Sequence, residues 1–267
     1  MSLSIQNNLL ASQAHTAVNR SSGDLAKSMQ KLSTGYRINS AADDAAGLGI
    51  SEKMRGQIRG LAQAQRNIQD GQSLTQTAEG SLDEVHSMLQ RVRELAVQYK
   101  NGSLSSTNQA AIQSEVNSLA SEIDRIGTSS QFNGIKLLDG STSSVTFQVG
   151  ANDGEEISVA MISLGATVGT SFSSLSSATA LTDIDTAIDN VSSARATFGA
   201  VQNRLDHTLA VSATAQQNLT AAESRIRDVD MADEMTKLTK NQILQQAGNA
   251  MLAQANQAPQ SVLSLLR

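Results

Sequence analysis

The chain lacks cysteine and tryptophan, and it has one proline, Pro259, in 267 residues. Without cysteine there can be no disulfide, no thiol catalysis and no cysteine-ligated zinc. Aromatic residues make up 2% of the sequence. Because aromatic side chains supply much of the volume of ordinary cores, a compact single core is not expected. The many Ala, Ser, Gln and Asn residues favour long helices that pack closely through small side chains.

Long apolar runs and basic runs are missing as well. No stretch approaches about 18 consecutive apolar residues, so no membrane insertion is expected. The net charge is -5, and without a basic cluster this argues against a nucleic-acid partner. Residues 1–20 lack the charged start, apolar run and cleavage site of a secretory signal. The chain therefore either stays in the cytosol or leaves it by another route.

Heptad spacing is the strongest positive signal. Three segments carry apolar residues at steps of four and three or at intervals of seven: Ala78, Leu82, Val85, Leu89, Val92, Ala96 and Tyr99; Ile112, Val116, Leu119, Ile123 and Ile126; and Ile184, Val191, Phe198, Leu205, Leu219 and Ile226, with Ser212 as the one interruption. Such stripes predict coiled-coil packing. A helix from about Asp44 to Tyr99 would be about 84 Å long, which is typical of rods and fibres.

Caps and turns divide these stripes. Asn101–Ser103 ends the first long helix, Ser106 with Gln109 predicts a capping box that opens the second, and Gly127–Gly134 ends that one. A loop at Gly165–Ser177 is expected to lead into the last long helix, with Thr182 as its cap.

Between these helices the apolar period changes to two. The alternating residues are Val145, Phe147 and Val149, followed by Ile157, Val159 and Met161. The turn signal Asp153-Gly154 lies between the two runs. The pattern predicts a β-hairpin.

The two ends carry thinner stripes. These are Val18, Leu25, Met29 and Leu32 near the N-terminus, and Met231, Met235, Leu238, Leu244, Met251 and Ala255 near the C-terminus. Neither helix is expected to be stable alone. They either dock on the same chain or pair with each other and with neighbouring copies, in which case they order on assembly. The apolar tail of Val262, Leu263, Leu265 and Leu266 also needs cover, and other subunits are the simplest cover.

No catalytic, metal or cofactor-binding site is expected. His15, His86 and His207 stand singly on predicted helices, and none belongs to a zinc-binding pattern. The Gly-x-Gly of Gly47–Gly49 follows no predicted strand, so nucleotide binding is not indicated. The acidic pairs Asp43-Asp44 and Glu155-Glu156 are better explained as caps or solvated charges than as acid–base catalysts.

The charged run Glu223–Met235 has two open interpretations. It is either a solvated helix face or a joint between the rod and the terminal helix, fixed by ion pairs at a subunit contact.

Several long motifs resemble one family. They are KLSTGYRINSAADDAAGLGISEKMRGQIRGL (Lys31–Leu61), LQRVRELAVQ (Leu89–Gln98), QFNGIKLLDG (Gln131–Gly140), GAVQNRLDHT (Gly199–Thr208), LTAAESRIRDVDMADEM (Leu219–Met235) and MLAQANQAPQSVLSLLR (Met251–Arg267). Over nearly its whole length the chain resembles bacterial flagellin, the filament subunit. The resemblance implies terminal helices in an inner core and a helical rod outside them. The variable outer domains of the family are nearly absent.

With the resemblance, the predicted fold is mainly α. It is a long antiparallel helical coiled-coil rod with a small β-hairpin and paired N- and C-terminal helices. The predicted segments are an N-terminal core helix and linker at 1–42, the N-terminal rod helices with the hairpin at 43–178, the C-terminal rod helix at 179–230 and the C-terminal core helix at 231–267.

The resemblance implies a non-enzymatic structural subunit that polymerises into the flagellar filament for swimming motility. It also implies type III export to an extracellular filament, without a cleaved signal or a cofactor. The implied partners are other copies of the chain, an export chaperone, cap proteins and hook–filament junction proteins. The alternative is that the chain is itself a hook–filament junction protein. A metallopeptidase insert, known in some flagellins, is not expected without a pair of histidines.

Two sets of residues follow from the resemblance. Host Toll-like receptor 5 is expected to contact Leu89, Gln90, Arg91, Leu95 and Glu115, and cytosolic inflammasome receptors the C-terminal tail. From the sequence pattern alone, Gln90, Arg91, Leu95 and Glu115 would be an exposed helix face. The residues expected to act in self-assembly are Leu25, Met29, Leu32, Met235, Leu238, Met251, Val262, Leu263, Leu265 and Leu266.

Overall fold

A computed structural model describes residues 8–168, 174–175 and 180–265, except for the side chains of 167 and 258–265. The helices in this part of the chain are α1 (Leu9–Thr34), α2 (Ala45–Tyr99), α3 (Ser106–Ser129), α4 (Leu164–Val168), α5 (Ala180–Arg227) and α6 (Met231–Leu265). The strands are β1 (Gln131–Phe132), β2 (Ile135–Lys136), β3 (Ser144–Gln148) and β4 (Glu156–Ala160). The predicted mainly-α fold is confirmed.

The chain divides into two compact units. Unit 1 combines Met1–Gly56 with Leu219–Arg267, and unit 2 is Gln57–Asn218. Each unit has its own packing.

In unit 2, α2 and α5 run antiparallel. Polar side chains join them in pairs whose numbers rise on one helix as they fall on the other: Arg93 with Asp185, Asp83 with Arg195, and Glu79 with Gln202. The N–O distances of these pairs are 2.6, 2.8 and 2.8 Å. The apolar stripe predicted for α2 and that for α5 as far as Leu205 form the core between them, where Leu82, Leu89 and Leu205 are fully buried. Leu219 and Ile226, predicted to continue the α5 stripe, are half-buried and lie in unit 1. Helix α3 packs on the same core through Val116 and Ile123.

Ser212, which interrupts the apolar lattice of α5, is also buried. Its hydroxyl donates a hydrogen bond to the carbonyl oxygen of Val149 at 3.4 Å. The interruption therefore marks the place where the β3–β4 hairpin attaches to α5.

The predicted hairpin is confirmed. Strands β3 and β4 pair antiparallel, with Val145 opposite Val159 and Phe147 opposite Ile157. Gly154 has a φ of 84°, which suits glycine at the turn. Asn67 of α2 donates a hydrogen bond to the Gln148 carbonyl at 3.0 Å, so the hairpin also attaches to α2.

Three local predictions need correction. Helix α3 is capped by Ser105, whose side chain accepts from the Asn108 amide, and not by Ser106. Thr182 lies inside the first turn of α5 rather than at its cap. The segment predicted as a loop after Gly165 begins within the short helix α4.

In unit 1, α1 and α6 pair antiparallel, which confirms the predicted pairing of the terminal helices. Ser21 donates to the Asn241 carbonyl at 3.0 Å, and Asn8 donates to the Ala255 carbonyl at 2.8 Å. Asn8 also caps α1, and Gly35 ends it with a φ of 75°.

Candidate assembly surface

The contact between α1 and α6 is a narrow seam of mostly small or polar residues. Apart from Lys31, the half-buried or buried positions follow heptad steps on both helices: Ala11, Ala14, Val18, Ser21, Leu25, Ser28 and Leu32 on α1, and Glu234, Leu238, Asn241, Gln245, Gly248, Leu252 and Ala255 on the described part of α6. Among the described residues of unit 1, the one fully buried apolar side chain is Ile38, in the loop after α1. The helix pair therefore buries little apolar surface within one chain.

A carboxylate lies inside this seam. Glu234 is 4% exposed and lies opposite Ser28, which is also 4% exposed. A hydrogen bond from Ser28 and the positive charges of Lys237 and Lys31 lower the pKa of Glu234, against the opposing effect of burial. Lys237 Nζ lies 3.5 Å from a Glu234 carboxylate oxygen. The first turn of a helix also favours a negative charge.

The described assembly candidates divide into two groups. Leu25, Leu32 and Leu238 are half-buried in the seam. Met29, Met235 and Met251 are 56%, 50% and 66% exposed. The remaining candidates are Val262, Leu263, Leu265 and Leu266. The structure describes the backbone of the first three, near the end of α6, but not their side chains, and Leu266 lies outside the described residues.

Further apolar side chains are exposed on the same two helices. Leu9, Leu10, Met231, Ile243 and Leu244 are between 48% and 68% exposed. Sequence reasoning missed Leu9, Leu10 and Ile243, because it followed one apolar stripe per helix. The exposed apolar side chains of α1 and α6 together are called the assembly surface below.

Helical register places these residues on both sides of the seam. Met29 follows Ser28 and Met235 follows Glu234. Because the helices are antiparallel, both methionines therefore lie on the same side of the seam. Leu244 and Met251 each precede a seam position, which places them on the other side. The pair therefore presents apolar surface in more than one direction.

A joint within unit 1 holds the connectors at the base of these helices. The Arg37 amide donates to the Arg227 carbonyl at 2.6 Å, and the Val229 amide donates to the Gly35 carbonyl at 3.0 Å. The Arg227 guanidinium lies 4.8 Å from the centre of the Tyr36 ring.

The same guanidinium forms an ion pair with Glu52, and the bond lowers the pKa of Glu52. The Arg227 side chain is 11% exposed. Of the two interpretations of Glu223–Met235, a joint fits Arg227 better than a solvated face does. Its ion pair, however, lies within one chain, so the expectation of an ion pair at a subunit contact is not met for Arg227.

The predicted receptor-contact residues do not share one exposed face. Leu89 and Leu95 are 0% and 2% exposed and belong to the core of unit 2. The expectation that Leu95 lies on an exposed face is wrong, because it continues the apolar stripe that packs inward. Gln90, Arg91 and Glu115 are exposed.

The exposed members of this set are linked across α2 and α3. Arg91 Nη2 lies 3.0 Å from a Glu115 oxygen, and Arg91 Nη1 lies 3.1 Å from a Glu94 oxygen. These bonds raise the pKa of Arg91, with Glu115 as the largest cause. The result is an exposed charged patch that joins α2 to α3.

Asp43 and Asp44, two of the acidic residues singled out in the sequence, accept hydrogen bonds around the start of α2. Asp43 accepts hydrogen bonds from Ser40 and Asn39, which lower its pKa, and Asp44 accepts from the Gly47 amide at 2.8 Å. In the part of the chain that the structure describes, no three His, Cys, Asp or Glu residues are grouped so that they could hold a metal ion. Within those same residues, no helix has the length and apolarity needed to cross a membrane.

Two family models match the chain. "Bacterial flagellin N-terminal helical region" matches residues 5–143, and "Bacterial flagellin C-terminal helical region" matches residues 181–266.

Curated relatives match at nearly full length. A flagellin of Halalkalibacterium halodurans is 52% identical over 271 residues, which cover 98% of this chain and 99% of that protein. A flagellin of Bacillus subtilis is 48% identical over 302 residues, with the same two coverages.

Solved structures agree in fold. The crystal structure of Bacillus cereus flagellin matches with a TM-score of 0.51 and 32% identity, over 54% of this chain and 87% of that one. A putative flagellar hook-associated protein from Vibrio parahaemolyticus matches with a TM-score of 0.58 over 70% of this chain and 100% of that one. At 17% identity, that second match shows the fold alone.

Proposed function

The chain belongs to the bacterial flagellin family, and on that premise we propose that it polymerises through the assembly surface of α1 and α6. It is a structural subunit of the flagellar filament, and its family is not one of enzymes.

The observation that carries the proposal is that large apolar side chains on both helices are exposed, although smaller and polar ones between the helices are buried. Met251 is 66% exposed and Met29 is 56% exposed, while the seam between the helices is built mostly from small and polar residues with a few half-buried leucines. Large apolar side chains that stay exposed on a narrow helix pair favour association with another protein surface. Burying such a side chain stabilises a contact by roughly 1.5–3 kcal/mol.

The two groups of candidates have different parts in this proposal. Leu25, Leu32 and Leu238 hold α1 and α6 together, and this packing fixes the positions of the exposed faces of the two helices relative to each other. Met29, Met235 and Met251 contact neighbouring subunits. The tail residues Val262, Leu263, Leu265 and Leu266 remain proposed contacts on the sequence pattern alone.

Met251 offers a sharp test of the assembly surface. We expect Met251→Lys to abolish polymerisation or to raise its critical concentration strongly, because burying an unpaired ammonium group is costly. Met251→Leu is the matched control and should polymerise like the original chain, since it keeps an apolar side chain of similar volume. Sedimentation measures filament yield, and circular dichroism checks that the monomers keep the same helical content.

Polymerisation of the Met251→Lys chain at an unchanged critical concentration would contradict the proposal. Loss of helix in that variant alone would instead place Met251 in the packing of the monomer.

The proposed partners besides other copies are an export chaperone, cap proteins and hook–filament junction proteins. We propose an extracellular filament, reached by type III export. The exposed apolar side chains support the need for a chaperone, since a chain with this surface would otherwise associate before export.

We also propose Toll-like receptor 5 and inflammasome receptors as host partners. For Toll-like receptor 5, the exposed residues Gln90, Arg91 and Glu115 would make direct contacts, and the buried Leu89 and Leu95 would hold α2 in place beneath them. A receptor-binding assay with Arg91→Ala tests this assignment, and unchanged affinity would contradict it.

The alternative, a hook–filament junction protein, has weaker support. The putative flagellar hook-associated protein matches at 17% identity, whereas flagellins match at 52% and 48% over nearly the whole chain. Growth of long filaments from the purified chain alone would distinguish a flagellin from a junction protein.

A further inference from the structure

The methionines of this chain are distributed unevenly. The sequence has eight methionines and no cysteine, so the thioether is its only sulfur group. Four methionines are 50–66% exposed, and all four belong to α1 or α6: Met29, Met231, Met235 and Met251. In unit 2, Met161 is buried, with 8% of its surface exposed, and Met88 is half-buried.

We propose that the four exposed methionines form an oxidation site, and that their conversion to sulfoxide by a hydroperoxide reversibly blocks polymerisation. This proposal rests on the proposed function, because it requires these side chains to be buried when subunits meet. It adds a chemical control that acts on the free subunit.

Sulfoxide formation needs a two-electron oxidant. A hydroperoxide such as hydrogen peroxide transfers one oxygen atom to the Met sulfur, which loses two electrons. The O–O bond breaks, an S–O bond forms, and water is released from hydrogen peroxide. A methionine sulfoxide reductase reverses the step with two electrons and two protons from a dithiol, which becomes a disulfide as water leaves.

Oxidation changes these side chains in the way that would harm an apolar contact. A thioether is apolar and adaptable, whereas a sulfoxide is polar and carries a strong hydrogen-bond acceptor. If that acceptor is buried without a donor, the contact loses stability. Met29 and Met235 lie on the same side of the seam, so oxidation of both would place two such groups on one face.

The first experiment maps the reaction on the full-length chain. Monomer and preformed filament are treated with hydrogen peroxide, and sulfoxide is quantified at each methionine by peptide mass spectrometry. In the monomer, the four exposed methionines should oxidise faster than Met161. In the filament, their oxidation should slow several-fold. Equal oxidation rates in monomer and filament would overturn the proposal.

The second experiment measures the consequence. Oxidised monomer should polymerise with a critical concentration raised by about tenfold or more, as expected for loss of one or more apolar contacts. Treatment with both stereospecific reductases should restore polymerisation. The variant with Met29, Met231, Met235 and Met251 all changed to Leu should polymerise in peroxide as it does without it, while Met88→Leu should stay as sensitive as the original chain.

Several outcomes would contradict the proposal. It fails if the fourfold Leu variant loses polymerisation in peroxide as strongly as the original chain, or if fully oxidised chain polymerises normally. If the fourfold variant does not polymerise at all, the original chain provides the test. The proposal then fails if reductases do not restore its polymerisation, or if its methionines oxidise as fast in the filament as in the monomer. The proposed function fails separately, if Met251→Lys polymerises normally without any oxidant.

Discussion

At the residue scale, Gly248 and Val18 set how closely α1 and α6 approach. A Cβ atom added at Gly248 would lie 2.7 Å from Cγ2 of Val18, and the β-branched Val18 has little rotamer freedom in a helix. We expect Gly248→Ala to destabilise the helix pair by about 1 kcal/mol or more through overpacking. Gly23→Ala, with nothing within 4 Å of its added Cβ, should instead stabilise it by roughly 0.5–1 kcal/mol. Urea unfolding followed by circular dichroism measures both.

The contact itself can be tested by a rescue. Val18→Ala combined with Gly248→Ala should recover most of the lost stability, because the smaller side chain removes the overlap. If Gly248→Ala and Gly23→Ala stabilise equally, the close approach of the two helices does not exist in solution.

Single residues also mark where sequence reasoning reached its limit. Apolar spacing correctly predicted the buried stripe of Leu82, Leu89 and Leu205, because large apolar side chains form that core. On the terminal helices the same rule correctly pointed to Leu25, Leu32 and Leu238 in the seam. It also pointed to Met29 and Met235, which are exposed beside the buried Ser28 and Glu234. The small and polar positions of the seam carry no apolar signal, so the sequence predicted only part of the face along which the ends pair.

At the element scale, the Glu234 carboxylate makes the stability of the α1·α6 pair depend on pH. Its pKa is lowered in the folded chain, chiefly by Ser28 and then by Lys237 and Lys31. The unfolded chain therefore binds more protons between the lowered pKa and the ordinary glutamate pKa. Stability of the pair is fully present above the ordinary value and is lost as the pH falls through the lowered one. Glu234→Gln should lack this contribution.

The measurement is the difference between two pH profiles. Unfolding free energies of the original chain and of Glu234→Gln should converge as the solution becomes acidic and separate above the ordinary glutamate pKa. Asp43 and Glu52 also have lowered pKa values, and the difference between profiles removes their common effect. Parallel profiles across this range would show that Glu234 is not coupled to folding.

Elements differ in how well their sequence signals predicted them. The β3–β4 hairpin was predicted, because five residues per strand give a clear alternation. The β1–β2 hairpin was missed, although Asn133 and Gly134 have φ values of 47° and 80° and Asn-Gly is a strong hairpin signal. Two residues per strand are too few to show a period, and the turn was interpreted only as the end of α3.

At the scale of the whole molecule, the sequence left two alternatives for the thin-striped terminal helices, docking on the rod or pairing with each other, and the structure shows the pairing of α1 with α6. Of the two compact units, Gln57–Asn218 has a large buried apolar core, whereas Met1–Gly56 with Leu219–Arg267 buries little apolar surface. The joint at Arg227 could not be worked out in advance, because a mixed charged run does not reveal which partner each side chain takes. The segment boundaries at 43, 179 and 231 stay predictions.

The last prediction concerns the stability of the two units. Among the described residues of unit 1, Ile38 is the one apolar side chain that is fully buried, whereas unit 2 has a large buried core. Ordering a helix costs about 1–2 kcal/mol per residue in backbone entropy, and the thin α1·α6 seam offsets less of this cost than the core of unit 2 does. In the monomer, amides of residues 9–34 and 231–257 should therefore exchange with solvent deuterium well before those of 78–96. Polymerisation should slow exchange in the terminal helices far more than in 78–96, because neighbouring subunits then bury the assembly surface. Equal protection of both regions in the monomer would mean that the seam alone stabilises the pair. If exchange in α1 and α6 is no slower in the filament, neighbouring subunits do not cover these helices.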